Sequence, residues 1–229
     1  MTLDPKTLAL KQSFTDNAIA FATGPLIFTQ GGKNMIAAGT KDGRIVLFDM
    51  TLSAPIASVT VAGATFGADA LAFFQEHSAP PPDAIAAQTA AQPPAAGRGA
   101  APGIPMVPGQ AWLLATAGNA VVAFKIDGGD KPSLTPAWTS RALASPAAPL
   151  VVNDVVFAVS SGKPATPSGA GSAAVLYALN AMSGKELWNS GTTLKSYMPG
   201  RALWTSNSQV YVGGNDGAVY AFGFPLDRK

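Results

Sequence analysis

A chain of 229 residues that is 48% apolar, 12% charged and carries 24 Gly and 19 Pro suits one turn-rich, all-β domain with a sizeable core. Its 15 basic and 13 acidic residues leave a net charge of only +2 with no basic cluster, which argues against a nucleic-acid partner, and the lack of cysteine excludes disulfides and thiolate metal sites. No run reaches the roughly 18 apolar residues of a membrane span, so no transmembrane segment is expected, and Met1–Gln12 holds no apolar stretch of the kind that marks a secretory signal.

The chain opens on Thr2–Phe14, TLDPKTLALKQSF, which aligns with Ala178–Ser190, ALNAMSGKELWNS. Residues 18–61 then read as one four-stranded unit: Phe21–Phe28 as the inner strand, Met35–Gly39, Ile45–Asp49 and Ala54–Val61, with Asp42-Gly43 at the central turn. Asp-Gly favours that turn because Gly tolerates positive φ and Asp bonds its own backbone. Residues 63–141 form a second unit, with an inner strand that includes Ala70–Phe74. The unit resumes at Gln110, turns at Gly118-Asn119 and ends on a strand at Leu134–Ser140. Between its first two strands lies Ser78–Pro105, where 20 of 28 residues are Ala, Pro or Gly, inside a loop spanning 78–108. Such a segment has little to bury, and Pro removes strand donors, so it reads as a disordered surface loop. Residues 142–194 give a third unit with a second flexible insert at Ser161–Ser172. Residues 195–224 give a fourth, VYVGGNDGAVYAF, with alternation either side of Asn215-Asp216-Gly217. Four copies of one hairpin identify a repeat protein.

The copies resemble the quinoprotein-like (PQQ-like repeat) β-propeller family, a WD40-like architecture whose repeat runs V-Y-V-G-x-x-D-G-x-L-Y-A-L-D-A-x-T-G-x-x-x-W. The match is close at Val210–Phe222 and at Val175–Trp188, where Tyr177-Ala178-Leu179, Ser183-Gly184-Lys185 and Trp188 fall in order. The resemblance implies an all-β propeller of four-stranded antiparallel blades, occupying residues 1–229 as a single partial domain: about four blades, part or half of a larger, eight-bladed ring. It also implies a bacterial protein in a periplasmic or extracellular setting. Blade 4 lacks a fourth strand and the N-terminus supplies an orphan one. Two readings compete: ring closure with residues 7–14 pairing against 218–224, or a chain that is the C-terminal half of a longer propeller.

Little in the sequence points to catalysis. His77, the single histidine, flanks the Ala/Pro/Gly-rich segment and reads as a surface residue. Gly162-Lys163 and Gly184-Lys185 lack the upstream Gly of a phosphate loop. Asp4, Asp42, Asp49 and Asp216 occupy turns or strand ends that the repeat itself explains. Trp138 and Trp188 sit in outer strands, where the family docks such a residue on the next blade; Trp112 and Trp204 lie near inner strands, where a stacking platform for a planar ligand is conceivable. A quinone-dependent dehydrogenase of the family binds a metal through Glu, Asn and Asp, uses an Asp base and stacks its quinone against a vicinal cysteine pair. Here cysteine is absent, the glutamates are Glu76 and Glu186, and neither is expected on an inward strand. No catalytic or metal residue is therefore assigned, no cofactor is expected, and the cofactor-binding residues are unknown. The expectation is a non-catalytic binding scaffold with a protein partner or a second propeller half. PQQ and Ca²⁺ belong only to the alternative, the C-terminal part of a PQQ-dependent alcohol or sugar dehydrogenase. Because half a ring exposes two apolar blade faces, a homodimer is the expected assembly.

Overall fold

The computed structural model of the chain describes residues 1–16, 19–78, 107–129, 131–200, 203–206 and 209–223. Most of the expected disordered loop at 78–108 lies outside these residues. The described chain is all β, with seventeen strands in five antiparallel sheets. Four sheets are blades of a β-propeller-like fold, and each blade takes its strands in sequence order, as a meander requires.

Blade 1 holds β3 (Leu26–Gln30), β4 (Lys33–Gly39), β5 (Arg44–Asp49) and β6 (Ala57–Thr60); blade 2 holds β7 (Leu71–Ser78), β8 (Val107–Ala117), β9 (Ala120–Asp127) and β10 (Ser133–Thr139). Blade 3 holds β11 (Leu150–Val152), β12 (Val155–Ser160), β13 (Val175–Asn180) and β14 (Glu186–Asn189). Blade 4 has three described strands, β15 (Leu203–Ser206), β16 (Gln209–Gly213) and β17 (Val219–Gly223). Strands β3 and β11, each the first of its blade, both lie against β7, the first of blade 2.

The inner strand of blade 1 starts at Leu26, five residues later than expected from Phe21. Pro25 cannot donate to a ladder. Upstream of it, the Ala22 and Thr23 amides both turn to the Gly39 carbonyl, at 2.8 and 3.2 Å, while the Gly39 amide donates to Thr23 Oγ1 at 2.8 Å. Blade 2 keeps Pro136 in β10, the outer strand, where one ladder donor can be spared. The Ser161–Ser172 insert is more ordered than expected. Lys163 and Ser172 exchange backbone bonds of 3.0 and 2.9 Å, and Thr166 and Gly169 exchange another pair of 2.9 and 3.1 Å, so the segment folds back on itself as a small hairpin.

Strands have period 2, so each blade offers two faces. Met35, Ala37, Ile45 and Leu47 of blade 1 pack on Leu113, Ala115, Phe124 and Ile126 of blade 2. Trp112, Leu114, Val121 and Ala123 on the other side of blade 2 pack on Val156, Ala158 and Leu179 of blade 3. Val159 and Leu176 of blade 3 pack on Val210 and Val212, with Tyr220 and Phe222 partly buried against them. The blade-1 face that looks away from blade 2 carries Ile36, Ala38, Val46, Phe48 and Leu52, and what packs on it is Phe14. Among the described residues no hydrophobic cluster joins blade 4 to blade 1.

The N-terminal segment does not close a ring. β1 (Thr2–Leu3) pairs with β2 (Leu10–Gln12), and neither pairs with β17 among the described residues, contrary to the ring-closure reading. Local turn chemistry explains this. Asp4 Oδ1 accepts the amides of Lys6 and Thr7 at 2.9 and 3.0 Å, and the Leu8 amide donates to the Asp4 carbonyl at 2.8 Å. The alignment of 2–14 with 178–190 holds in detail. Asn180 Oδ1 accepts the amides of Met182 and Ser183 at 3.1 and 3.0 Å, and Gly184 donates to the Asn180 carbonyl at 2.8 Å. Leu8 and Gly184 both take positive φ, 57° and 67°. Both hairpins also break register at the same point, between Thr2 and Leu3 and between Ala178 and Leu179.

Candidate functional site

The carboxylates are occupied with turns. Asp216 accepts the Tyr220 phenol at 2.6 Å and the Ala218 amide at 3.2 Å, and Gly217 follows at φ 78°. The Tyr220 bond holds Asp216 below the usual carboxylate range and raises the Tyr220 phenol in turn. Asp42 accepts the Thr40 hydroxyl and the Arg44 guanidinium, whose Nε lies at 2.8 Å, and its pKa falls, chiefly through the Thr40 bond. Asp49 is lowered first by the Thr51 hydroxyl. Asp4 falls from its ordinary 3.8 to about 2, first through the Thr7 amide and then through Lys11, whose Nζ is 3.0 Å from Oδ2.

The two glutamates have structural partners as well. Glu186 accepts Asn189 Nδ2 at 2.6 Å and pairs with Arg141 Nη1 at 2.7 Å; both lower its pKa, Asn189 more. The Arg141 guanidinium lies 4.8 Å from the Tyr177 ring centroid, tying the exit of blade 2 to blade 3. Glu76 is a correction: it lies on β7, the first strand of blade 2, where no glutamate was expected. Its Oε1 accepts the Trp112 indole N–H at 2.7 Å across the β7–β8 pair. His77 is also on β7, opposite Pro108 in the ladder.

Among the described residues no three His, Cys, Asp or Glu side chains converge on a metal-sized site. The sole glutamate on a first strand is bonded to an indole.

The tryptophans divide by burial. Trp138 reaches from blade 2 to blade 3, donating its N–H to the Ala181 carbonyl at 2.9 Å. Gly184 lies under its ring so closely that a Cβ there would stand 2.4 Å from Cε3. Trp188 meets Phe222 of blade 4 edge-on at 5.6 Å, but it is 45% exposed, so its clamp on the next blade is half open. Trp112, at 2% exposure, is no platform for a ligand: it stacks on Phe74 at 5.8 Å within the blade 2–3 core, with Lys125 Nζ 5.4 Å from its ring centroid. Trp204 is open instead, 41% exposed and stacked on Tyr211 at 5.9 Å.

A cavity of about 1090 Å³ runs between blades 1 and 2 beside the ends of β7 and β8. Its amides serve the fold. Gln30 Nε2 and Gln110 Nε2 both donate to the Ile126 carbonyl, at 3.0 and 2.9 Å, and Gln75 Nε2 donates to the Gly109 carbonyl at 3.3 Å.

Both end blades expose large apolar side chains. At one end Phe21, Ile27 and Met50, 40%, 63% and 39% exposed, rim a cavity of about 300 Å³ over Ile36 and Phe48. At the other, Trp204, Tyr211 and Val219 lie on the blade-4 face opposite the one packed on blade 3, and Val219 is 62% exposed. Of the two conceivable platforms in the sequence, Trp204 is the open one; Val219 was not singled out because its residue type and spacing match buried positions in the other blades. Among the described residues no helix is long and apolar enough to cross a membrane.

No family model and no curated protein matches the chain. Among solved structures it is similar to BamB from Moraxella catarrhalis, with TM-score 0.46 and 12% identity over 89% of this chain and 50% of that one, so it spans half the length of that protein. It is also similar to the computationally designed Ika4 protein, with TM-score 0.49 and 13% identity over 94% of this chain and 100% of that one. A third is BBS1N in its complex with ARL6DN, with TM-score 0.38 and 11% identity over 96% and 71%. At these identities and scores the likeness extends to a β-propeller-like fold and carries nothing about function.

Proposed function

We propose that the chain is a non-catalytic β-propeller scaffold that binds protein through the exposed apolar side chains of its end blades. One observation carries the reading: the ionisable side chains with shifted pKa values are spent on turns and on three ion pairs, while the end blades expose large apolar side chains, Phe21, Ile27 and Met50 on blade 1 and Trp204 and Val219 on blade 4. Scattered exposed apolar side chains are ordinary, but a continuous face with aromatic anchors marks an interaction surface. An exported, periplasmic or extracellular setting is part of the proposal and comes from the repeat resemblance. The chain by itself then holds no quinone. Given PQQ, Ca²⁺ and a panel of alcohols and sugars, the purified protein leaves an artificial electron acceptor unreduced. Clear PQQ-dependent turnover would overturn the scaffold reading in favour of a dehydrogenase.

A further inference from the structure

We propose that the cleft between blades 1 and 2 binds a short neutral saccharide, held by the amide side chains of Gln30, Gln75 and Gln110 over an apolar floor. The cleft has a volume of about 1090 Å³. It stands apart from the exposed apolar side chains on which the scaffold reading rests, and gives the fold a small-molecule ligand that the reading does not supply.

The walls of the cleft are built from strand length that blade 3 lacks. Each first strand opens on a leucine. From Leu150 the first hairpin of blade 3 spans three residue pairs, and from Leu203 that of blade 4 spans four. From Leu26 the hairpin of blade 1 spans five, and from Leu71 that of blade 2 spans seven. Beyond the third pair, the added length carries Thr29, Gln30 and Asn34 on one side of the cleft and Gln75, Gly109 and Gln110 on the other. Met35, Ala111 and Ile126, all buried, form the floor where the two blades meet. Gly31 and Gly32 on one lip and Gly129 on the other all take positive φ, and a Cβ on any of them would meet nothing within 4 Å. Both lips are therefore bare backbone, and no side chain at these positions narrows the entrance.

The amides decide what the cleft takes. A glutamine carries an NH₂ donor group and one carbonyl oxygen. Gln110 Nε2 donates to the carbonyls of Ala111 and Ile126 at 3.0 and 2.9 Å, Gln75 Nε2 to Gly109 at 3.3 Å and Gln30 Nε2 to Ile126 at 3.0 Å. The nitrogens are thus turned to the backbone, and the oxygens are what the glutamines have left to offer. Gln30 Oε1 is buried with no hydrogen-bond partner among the described residues, an unfavourable state for a carbonyl. Ile126 sets its orientation, because a carbonyl accepts and cannot donate. Gln110 serves the same Ile126 carbonyl, and the last torsion of a glutamine is soft, so Gln30 can swing its amide to a ligand and leave that carbonyl paired. The charged groups at the cleft are engaged already: Asp49 accepts the Thr51 amide and hydroxyl at its own turn, and Lys33 has an interaction of its own. An anion would meet carbonyl oxygens, and an apolar ligand would leave them unpaired. A saccharide suits both surfaces. Its hydroxyls donate to the glutamine oxygens and accept from Asn34 Nδ2, since Asn34 Oδ1 is taken by the Thr29 hydroxyl at 2.7 Å. Its C–H face lies on Met35 and Ile126.

The full chain is titrated with glucose, galactose, N-acetylglucosamine, maltose, cellobiose and lactose in turn, followed by NMR. At least one sugar should give saturable shifts of the Gln30 and Gln110 side-chain amides and of the Gly31 and Gly128 backbone amides. Calorimetry with that sugar should show affinity more than about tenfold lower in Gln30→Leu, and lower also in Asn34→Ala, an exposed position where folding is not at stake. Glucuronate should bind no more tightly than glucose. Gln30→Leu also separates binding from a structural role. Replacing a buried, unpaired amide oxygen by an apolar group of similar shape is neutral or stabilising, so Tm should not fall. Three results overturn the proposal: no sugar at millimolar concentration moves these resonances, the shifts do not saturate, or affinity survives both substitutions. Affinity lost in Gln30→Leu together with a lower Tm, and unchanged in Asn34→Ala, marks a structural glutamine and overturns it too. A neutral Gly-Ala peptide that shifts the same resonances when no sugar does overturns the saccharide as ligand. PQQ-dependent turnover would instead overturn the scaffold reading and leave the sugar titration unchanged.

Discussion

At the scale of single residues, an aspartate or asparagine cap with a left-handed residue after it recurs throughout the fold. Asp4 with Leu8, Asp49 with Leu52 and Asn180 with Gly184 all place a side-chain acceptor under following amides and then reverse the chain at φ 57°, 49° and 67°. At the third of these Gly is required by space as well, because Trp138 lies on it, whereas Leu8 and Leu52 take the left-handed conformation with a side chain. The carboxylate caps also give the protein its acid response. Asp4, Asp42, Asp49 and Asp216 all have folded pKa values below their ordinary 3.8. A depressed carboxylate contributes stability that is fully present above its unfolded pKa and is lost as pH falls through the folded one. Stability should therefore hold above about pH 4 and decline below it, Asp4 being the last to protonate, near pH 2. Carboxyl carbon shifts followed by NMR from pH 5 downward test the order. An Asp4 midpoint at the ordinary value would refute the cap.

At the scale of the element, burial of a strand depends on whether its blade is covered on both faces. Strands β8 and β9 are buried on both sides, with Leu113, Leu114 and Val121 fully enclosed. β17 has the same alternation but, among the described residues, faces a neighbouring blade on one side alone. Truncating the enclosed side chain, Leu113→Ala, should cost roughly 2–5 kcal/mol, because the cavity cannot collapse between two sheets. Val219→Ala, on the open face, should change stability by less than about 0.5 kcal/mol in the single chain. Urea titration of both variants at low protein concentration separates the cases, and equal losses would mean that the outer face of blade 4 is covered.

At the scale of the whole molecule, the four blades behave as a one-dimensional series in which each is stabilised by its neighbours. Blade 2 has a neighbour on each side. Blade 4 has one neighbour and three described strands. Local opening should thus begin at β15–β17, and its amides should exchange with solvent well before those of β8 and β9. Hydrogen exchange read by mass spectrometry checks this. Protection in β17 equal to that of β9 would contradict the one-dimensional series.

The sequence alone determined the features that are set by neighbouring residues. Asp-Gly and Asn-x-x-Ser turns, alternation at period 2 and the match of Thr2–Phe14 to Ala178–Ser190 each depend on chemistry within a few positions, and all reappear in the structure. The blade-to-blade reach of Trp138 was legible for the same reason, since its place after the turn follows from the repeat. What the tertiary structure decided was which of two equivalent faces is covered. Trp112 and Trp204 look alike in sequence, yet Trp112 is enclosed between blades 2 and 3 while Trp204 stands on a face that no blade meets among the described residues. The bond from Trp112 to Glu76 spans two strands separated by a long insert, and no local pattern announces it. The N-terminal strand pairs with β1 and not with β17, because a tight turn capped by Asp4 forms over a few residues, whereas closing a ring requires the last blade to reach the first, and blade packing sets that distance.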